Sequence, residues 1–405
     1  MPAKAAEILR ALTERYDPEV FELARPHARL RLVGASEKDF DVRLDGQTAR
    51  LEEADSSSRP DAVLSADAET WRQVATDVRN GMDAFRRGKL SIRHDLHLGV
   101  GFLAATAQRE PGTNPLAFRQ IETAAGHISI CEAGDGPPVV MMHGLGASKV
   151  SMLPTLAALA PHHRAIAVDL PGFGDSGKPI LARYDAPFFA ASMTALLNAL
   201  DIERADFIGN SMGGRVALEL GMSAPDRVRR LVLLSTSLAW LRDRPFAPAL
   251  RWIMPQLGLI QPAPRPIVEA IARNLIPGSD EQWVSTGIDE FLRSYLTARG
   301  RAAFYAAARN IYLEEPHGPN GFWTRLPSLQ TPSLFVWGRL DQVVPIRFAE
   351  HVRRVLPPAE HLELDCGHVP QLERPKETHE AVIRFLAPED DQHRHGAAVG
   401  MSGRG

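Results

Sequence analysis

The stretch Gly209-Asn210-Ser211-Met212-Gly213-Gly214 sets a serine between glycines, just after the apolar run Asp206 to Gly209 and just before a helical pattern that starts at Met212. A Gly-x-Ser-x-Gly sequence between a strand and a helix is the pattern of a sharp, strained turn that presents a nucleophilic hydroxyl. Such a turn demands its glycines, because side chains at Gly209 and Gly213 would collide with the neighbouring strand or helix. The helix that follows aims its unpaired N–H groups, and the positive end of its dipole, at any negative charge developing beside Ser211. A serine that merely caps a helix would satisfy the motif alone. Three further segments weigh against that bland reading.

The first is His143-Gly144-Leu145-Gly146, directly after the apolar run Val139 to Met142. A turn there can bring the Leu145 amide to the same oxyanion as the Met212 amide, and each such donor is worth about 3–4 kcal/mol of transition-state stabilisation. His143 is expected to brace this loop through its ring, with Gly144 as a structural residue beside it. The second segment is Trp337-Gly338-Arg339-Leu340-Asp341, which sets an aspartate past a strand end, on the sheet edge where active sites collect. The corresponding place after Leu231 to Leu234 reads Ser235-Thr236-Ser237 and offers no carboxylate. The third is Asp365-Cys366-Gly367-His368, again past a strand end, whereas His351, His361 and His379 fall inside helix or strand patterns. The order Ser211, Asp341, His368 is the order nucleophile, acid, base. The expected chemistry is attack by Ser211 on a carbonyl carbon with His368 as general base and Asp341 orienting it. That chemistry calls for no metal and no organic cofactor.

The elements that must hold these residues can be read from periodicity. Ile128 to Glu132, Val139 to Met142, Ala165 to Leu170, Asp206 to Gly209, Leu231 to Leu234, Ser333 to Trp337 and Leu362 to Leu364 are short apolar runs. Helical patterns at Phe188 to Leu200, Met212 to Met222, Ile346 to Leu356 and Lys376 to Leu386 lie between several of them. This alternation predicts a mostly parallel sheet covered on both faces, an α/β fold, over 118–237 and 327–388. Residues 238–326 break the alternation with proline-interrupted helical patterns rich in aromatics, among them Trp252, Phe291, Tyr295, Phe304 and Tyr305. An insert of that length is too long for a loop and reads as a helical cap. Residues 1–110 read as a separate small α+β module, with half-buried strands at Arg29 to Val33 and Phe40 to Leu44, a turn at Asp45-Gly46 and helices at Ile8 to Tyr16 and Asp67 to Val78. Ala84 to Lys89 reads as a short helix, and Leu96 to Leu98 as one more apolar run. The linker is expected at 111–117, where Pro111-Gly112-Thr113-Asn114-Pro115 breaks any element. The polar tail 389–405 is expected to be disordered.

On these motifs the segment 118–388 resembles the α/β-hydrolase superfamily, and Asp169-Leu170-Pro171-Gly172-Phe173-Gly174-Asp175-Ser176-Gly177-Lys178-Pro179 is another family-like loop. The nearest subgroups are the esterases and the C–C hydrolases of meta-cleavage products. The latter often carry Gly-Asn-Ser-Met-Gly-Gly, but usually have Trp where this chain has Val369. Haloalkane dehalogenases and epoxide hydrolases use an aspartate nucleophile, which Ser211 disfavours. In the first module, Val42-Arg43-Leu44-Asp45-Gly46, Pro60-Asp61-Ala62, Ala68-Glu69-Thr70-Trp71 and Ala84-Phe85-Arg86-Arg87-Gly88-Lys89-Leu90 resemble the sterol carrier protein 2 (SCP2) family. The resemblance implies an SCP2-like domain with an apolar tunnel for fatty acyl or sterol-like ligands; a packing or dimerisation module is the plainer alternative. Where that family usually has Gly-Asp, this chain has His94-Asp95, so a different local turn is expected.

Bulk composition narrows the partners. Among 405 residues the net charge is -3, which argues against nucleic acid. Two cysteines are too few for a disulfide framework and read as buried apolar residues in a reducing compartment, the cytoplasm. No run reaches the ~18 apolar residues of a membrane helix, which leaves peripheral contact with lipid open. The expected substrate is a small-molecule carboxylic ester or thioester with a large apolar, lipid-like acyl part. The alternatives are a C–C hydrolase and a lipid-binding or transfer protein with an inactive hydrolase half. The oligomeric state is not written in the sequence.

Overall fold

The structure, a computed structural model, describes residues 2–76, 84–85, 87–108, 114–239, 252, 254–275 and 282–387. The expected tail 389–405 and the first residues of the expected linker lie outside the described residues.

Eight strands form the larger sheet: β6 (Ala117–Thr123), β7 (Gly126–Ala133), β8 (Pro138–Met142), β9 (Arg164–Val168), β10 (Ala205–Asn210), β11 (Val228–Leu234), β12 (Ser333–Gly338) and β13 (Glu360–Leu364), in the order β13-β12-β11-β10-β8-β9-β7-β6. All pairs from β9 through β13 are parallel, and β6 and β7 close one edge antiparallel. β10 and β12 are buried along their whole length, because helices cover both faces. Side chains alternate between two cores: Met141, Ile208, Val232 and Val336 on one face, Met142, Phe207, Leu233 and Phe335 on the other. Strand β6 escapes the apolar-run reading because, as an edge strand, it buries only Phe118 and Ile121.

Register brings the chemistry together. Gly209 pairs with Met142 on one side and Leu233 on the other, Leu234 pairs with Val336, and Gly338 pairs with Leu364. The carboxyl ends of β8, β10, β11, β12 and β13 therefore finish level, and the residues that follow each of them share one edge.

The smaller sheet runs β3-β2-β1-β4-β5, with β1 at Ala28–Val33, β2 at Phe40–Leu44, β3 at Ala49–Glu53, β4 at Ala62–Ala66 and β5 at Leu90–Arg93. Its apolar side, Leu30, Leu32, Val42, Leu64 and Ile92, packs with α1 (Pro2–Thr13), α2 (Ala68–Thr76) and α3 (Leu96–Ala105). The first helix ends at Thr13, short of the expected Tyr16. Ala84 and Phe85 are helical, but the chain turns at Gly88, whose N–H reaches the Phe85 carbonyl. The apolar run at Leu96 opens a full helix that periodicity concealed, since α3 is apolar on nearly every side. Gly101 lets it approach closely: a Cβ there would lie 2.4 Å from the Phe21 ring. Asp95 caps it by accepting the Leu98 N–H at 2.9 Å. His94, which stands where the resemblance led one to expect a glycine, holds φ 74, the left-handed conformation that glycine supplies more cheaply.

The smaller sheet's core is continuous with one face of the larger sheet. A backbone bridge joins them, with Phe118 N–H to Val20 O at 2.7 Å and Glu22 N–H to Phe118 O at 3.0 Å.

Candidate active site

Ser211 sits between β10 and α6 (Met212–Ser223), with α4 (Leu153–Leu159) and α5 (Ala186–Ala199) before β10. Its backbone takes φ 51, ψ -113, a conformation that costs about 1–3 kcal/mol outside glycine. The surroundings over-determine it: Ser211 N–H donates to Leu234 O at 3.0 Å, while its carbonyl accepts from Ser237 at 3.0 Å and from Arg215 at 3.2 Å. A Cβ on Gly209 would lie 2.3 Å from the Gly213 carbonyl, and one on Gly213 would lie 2.3 Å from Met142 O, so the glycine demand read from the motif is met by contacts with named atoms.

The loop after β8 rests on this elbow, with the Cβ direction of Gly144 ending 3.3 Å from Ser211 Cβ. His143 is fully buried. Its Nε2 accepts the Leu170 N–H at 3.0 Å, which leaves Nδ1 to carry the proton and donate to Gly144 O at 2.7 Å. Burial pushes its pKa down, so the ring is a neutral brace. Among the described residues the N–H groups of Leu145 and Met212 donate to no backbone acceptor.

Asp341 and His368 meet across the ends of β12 and β13. His368 Nδ1 lies 2.8 Å from Asp341 Oδ2, and the aspartate side chain is only 1% exposed against 24% for the histidine. Asp341 Oδ1 accepts the N–H groups of Val343 at 2.7 Å and Val344 at 2.9 Å, which fixes the carboxylate plane. The His368 loop is held from both sides by Glu373, whose carboxylate accepts Gly367 N–H at 2.6 Å and Val369 N–H at 2.9 Å. Asn210 Nδ2 adds bonds to Leu234 O at 3.0 Å and His368 O at 3.2 Å, linking the end of β10 to the His368 loop.

The remaining leg is unmade. Among the described residues no hydrogen bond joins Ser211 Oγ to His368; Ser211 Oγ instead lies 3.4 Å from Ser237 Oγ. Rotation about χ1 carries a serine hydroxyl between staggered positions about 120° apart, and such bonds often tighten only around substrate.

Between β11 and β12 lie α7 (Arg265–Leu275), α8 (Gln282–Tyr295) and α9 (Ala298–Tyr312). Much of their aromatic content packs on itself: Phe291 stacks on Tyr295, Phe304 meets both edge-on, and the Tyr295 and Tyr305 hydroxyls lie 2.7 Å apart. Phe291 and Phe304 also face the loop after β8, at 3.0 and 3.2 Å from the Cβ direction of Gly146. Tyr312, the last residue of α9, turns its hydroxyl to Ser237 and Ser211. Burial raises its pKa, so that hydroxyl stays neutral. Ser237, Tyr312, Asn210 and Glu373 were not singled out from sequence. A serine in place of the sought carboxylate after β11 was the one available hint.

Both cysteines are free and buried, as read. Among the described residues no helix is long and apolar enough to cross a membrane.

Residues 137–259 match the α/β hydrolase fold family, and residues 8–104 match the SCP-2 sterol transfer family. A 2-hydroxymuconate semialdehyde hydrolase of Pseudomonas sp. (strain CF600) is 29% identical over 69% of this chain and 97% of its own length. An uncharacterized protein of Mycobacterium tuberculosis is 30% identical over 63% of this chain and 76% of its own. A thermophilic esterase from Thermogutta terrifontis superposes with TM-score 0.54 at 25% identity, over 66% of this chain and 97% of that one.

Proposed function

The chain belongs to the α/β-hydrolase superfamily, and on that premise we propose that it is a serine hydrolase of carboxylic esters or thioesters with an apolar acyl part. Ser211 is the nucleophile, His368 the base, Asp341 the acid that orients it, and the Leu145 and Met212 amides hold the oxyanion. The observation that carries the reading is the 2.8 Å contact of His368 Nδ1 with Asp341 Oδ2 on the sheet edge that also bears the strained Ser211.

With Nδ1 committed to Asp341, Nε2 is the ring atom free to take the serine proton. As Ser211 Oγ bonds to the carbonyl carbon, that proton passes to His368 and charge develops on the carbonyl oxygen. Return of the proton to the leaving group expels the alcohol or thiol, and water repeats the cycle on the acyl-enzyme. The preference for an apolar acyl part is supported by the Phe291 and Phe304 rings against Gly146, one residue from an oxyanion amide. Fluorophosphonate labelling of the parent that vanishes in Ser211→Ala tests the nucleophile, and a p-nitrophenyl ester series from acetyl upward tests the acyl preference. No gain beyond butyryl would refute the preference and leave the nucleophile standing.

The likeness to a 2-hydroxymuconate semialdehyde hydrolase, together with Gly-Asn-Ser-Met-Gly-Gly, favours C–C hydrolysis of a ring-fission dienoate as a second reading. Turnover of such a chromogenic dienoate, with esters left untouched, would decide for it.

A further inference from the structure

Helix α8 carries Asp289, Glu290 and Arg293 on one side of the chain, and all three leave their own segment to find partners. Asp289 accepts from Arg93 Nε at 2.6 Å and from the His94 N–H at 3.0 Å. Glu290 Oε1 accepts the Leu96 N–H at 2.7 Å, and its Oε2 accepts the Ser148 hydroxyl at 3.0 Å. The N–H groups of His94 and Leu96 flank the capping Asp95, so the start of α3, where helix amides lack partners of their own, is docked on two consecutive carboxylates. Arg293 then bridges Glu290 at 3.1 Å to Asp175 at 2.6 Å.

The other end of these bonds is Ser148, at the exit of the loop that begins with His143. The next residue is locked from the opposite side. Lys149 N–H donates to Asp169 Oδ1 at 2.6 Å, and its fully buried ammonium lies 2.7 Å from Asp169 Oδ2 and 2.9 Å from Ser129 Oγ. His143 secures the loop's entry through Leu170 and Gly144. Only Gly144 to Ala147 lie between the two anchors, and they include the Leu145 amide. The exit anchor therefore rests jointly on the larger sheet, on α8 and on the SCP2-like module.

We infer that Ser148 and Glu290 are positioning residues through which the N-terminal module holds the loop after β8 in its catalytic geometry, so that this module is a working part of the hydrolase site. The inference rests on the proposed reading of Leu145 as an oxyanion donor. Amide placement matters most when charge peaks in the transition state, so a slackened loop lowers kcat and leaves ground-state binding largely intact.

The test uses the full chain and a p-nitrophenyl butyrate assay. Ser148→Ala lowers kcat about tenfold, less than the hundredfold or more that deleting an oxyanion donor costs, with KM within about twofold. Affinity for an alkyl boronic acid, whose tetrahedral adduct uses the same amides, falls by the same factor. Ser148→Thr, which keeps the hydroxyl on an extended backbone, restores both. Arg93→Gln, in the N-terminal module, lowers kcat about threefold and adds little to Ser148→Ala, because both act along one chain of contacts. Parent kcat and boronate affinity in Ser148→Ala, or full additivity of the two substitutions, overturns the inference. Turnover that survives in Ser211→Ala overturns the hydrolase reading as well; turnover lost in Ser211→Ala but untouched in Ser148→Ala overturns this inference alone.

Discussion

Replacing Asp341 by asparagine exchanges one oxygen for an NH2 group, and the structure decides which. Oδ1 accepts two backbone N–H groups, from Val343 and Val344, so an NH2 turned toward them would set donor against two donors. The nitrogen must therefore take the place of Oδ2, 2.8 Å from His368 Nδ1. There it can only donate. The ring answers by offering a bare Nδ1 and moving its proton to Nε2, the atom that has to receive the proton of Ser211. The base is present but in the wrong tautomer. In the serine-protease template the same exchange lowers kcat about 10⁴-fold, or about 5 kcal/mol. The two bonds to Val343 and Val344 survive, so stability should change by no more than about 1 kcal/mol. Steady-state kinetics on a p-nitrophenyl ester, with thermal unfolding as the control, reads both numbers. A variant within tenfold of the parent in kcat, at unchanged Tm, would show that Asp341 does not set the tautomer of a catalytic base.

Tyr312→Phe removes a hydroxyl beside Ser211 and Ser237 while keeping the ring; a fall in kcat of about tenfold is expected, a polar contact next to the reacting hydroxyl being worth about 1 kcal/mol or more. Equal kcat in parent and variant would leave that hydroxyl without a part in turnover. Lys149→Met strips the counter-charge from Asp169, both of whose side chains are 0% exposed, and should cost about 3–5 kcal/mol in urea unfolding; a loss under 1 kcal/mol would mean that Asp169 finds another partner. Acid should destabilise the fold through its buried histidines. Burial lowers His97, His361 and His379 from 6.5 to about 4, so these rings are neutral when folded and take up protons more readily when unfolded. Stability is then full above pH 6.5 and declines as pH falls from there toward 4, by about 1.4 kcal/mol per pH unit for fully buried His97. Identical urea midpoints at pH 7 and pH 5 would contradict this.

Legibility from sequence followed the range of the interactions involved. The elbow at Ser211, the loop at His143 and the residues Asp341 and His368 each obey short-range demands: a glycine where a Cβ would strike Met142 O, a loop residue just past an apolar run. Such demands leave a mark in residue type and spacing, and so the sheet and the edge that carries the candidate site could be read. Strand β6 and helix α3 could not, because an edge strand and a helix buried on nearly all sides lack the periodicity that distinguishes one from the other. Ser237, Tyr312, Glu373 and the Glu290–Ser148 link were equally hidden. Their partners are a serine hydroxyl and backbone N–H groups, which nearly every position offers, so no residue type at either end announces the pairing. Local stereochemistry had already chosen which residues could do chemistry; the register of parallel strands and the docking of α3 on α8 chose what would surround them, because only the folded chain brings those distant segments within hydrogen-bonding reach.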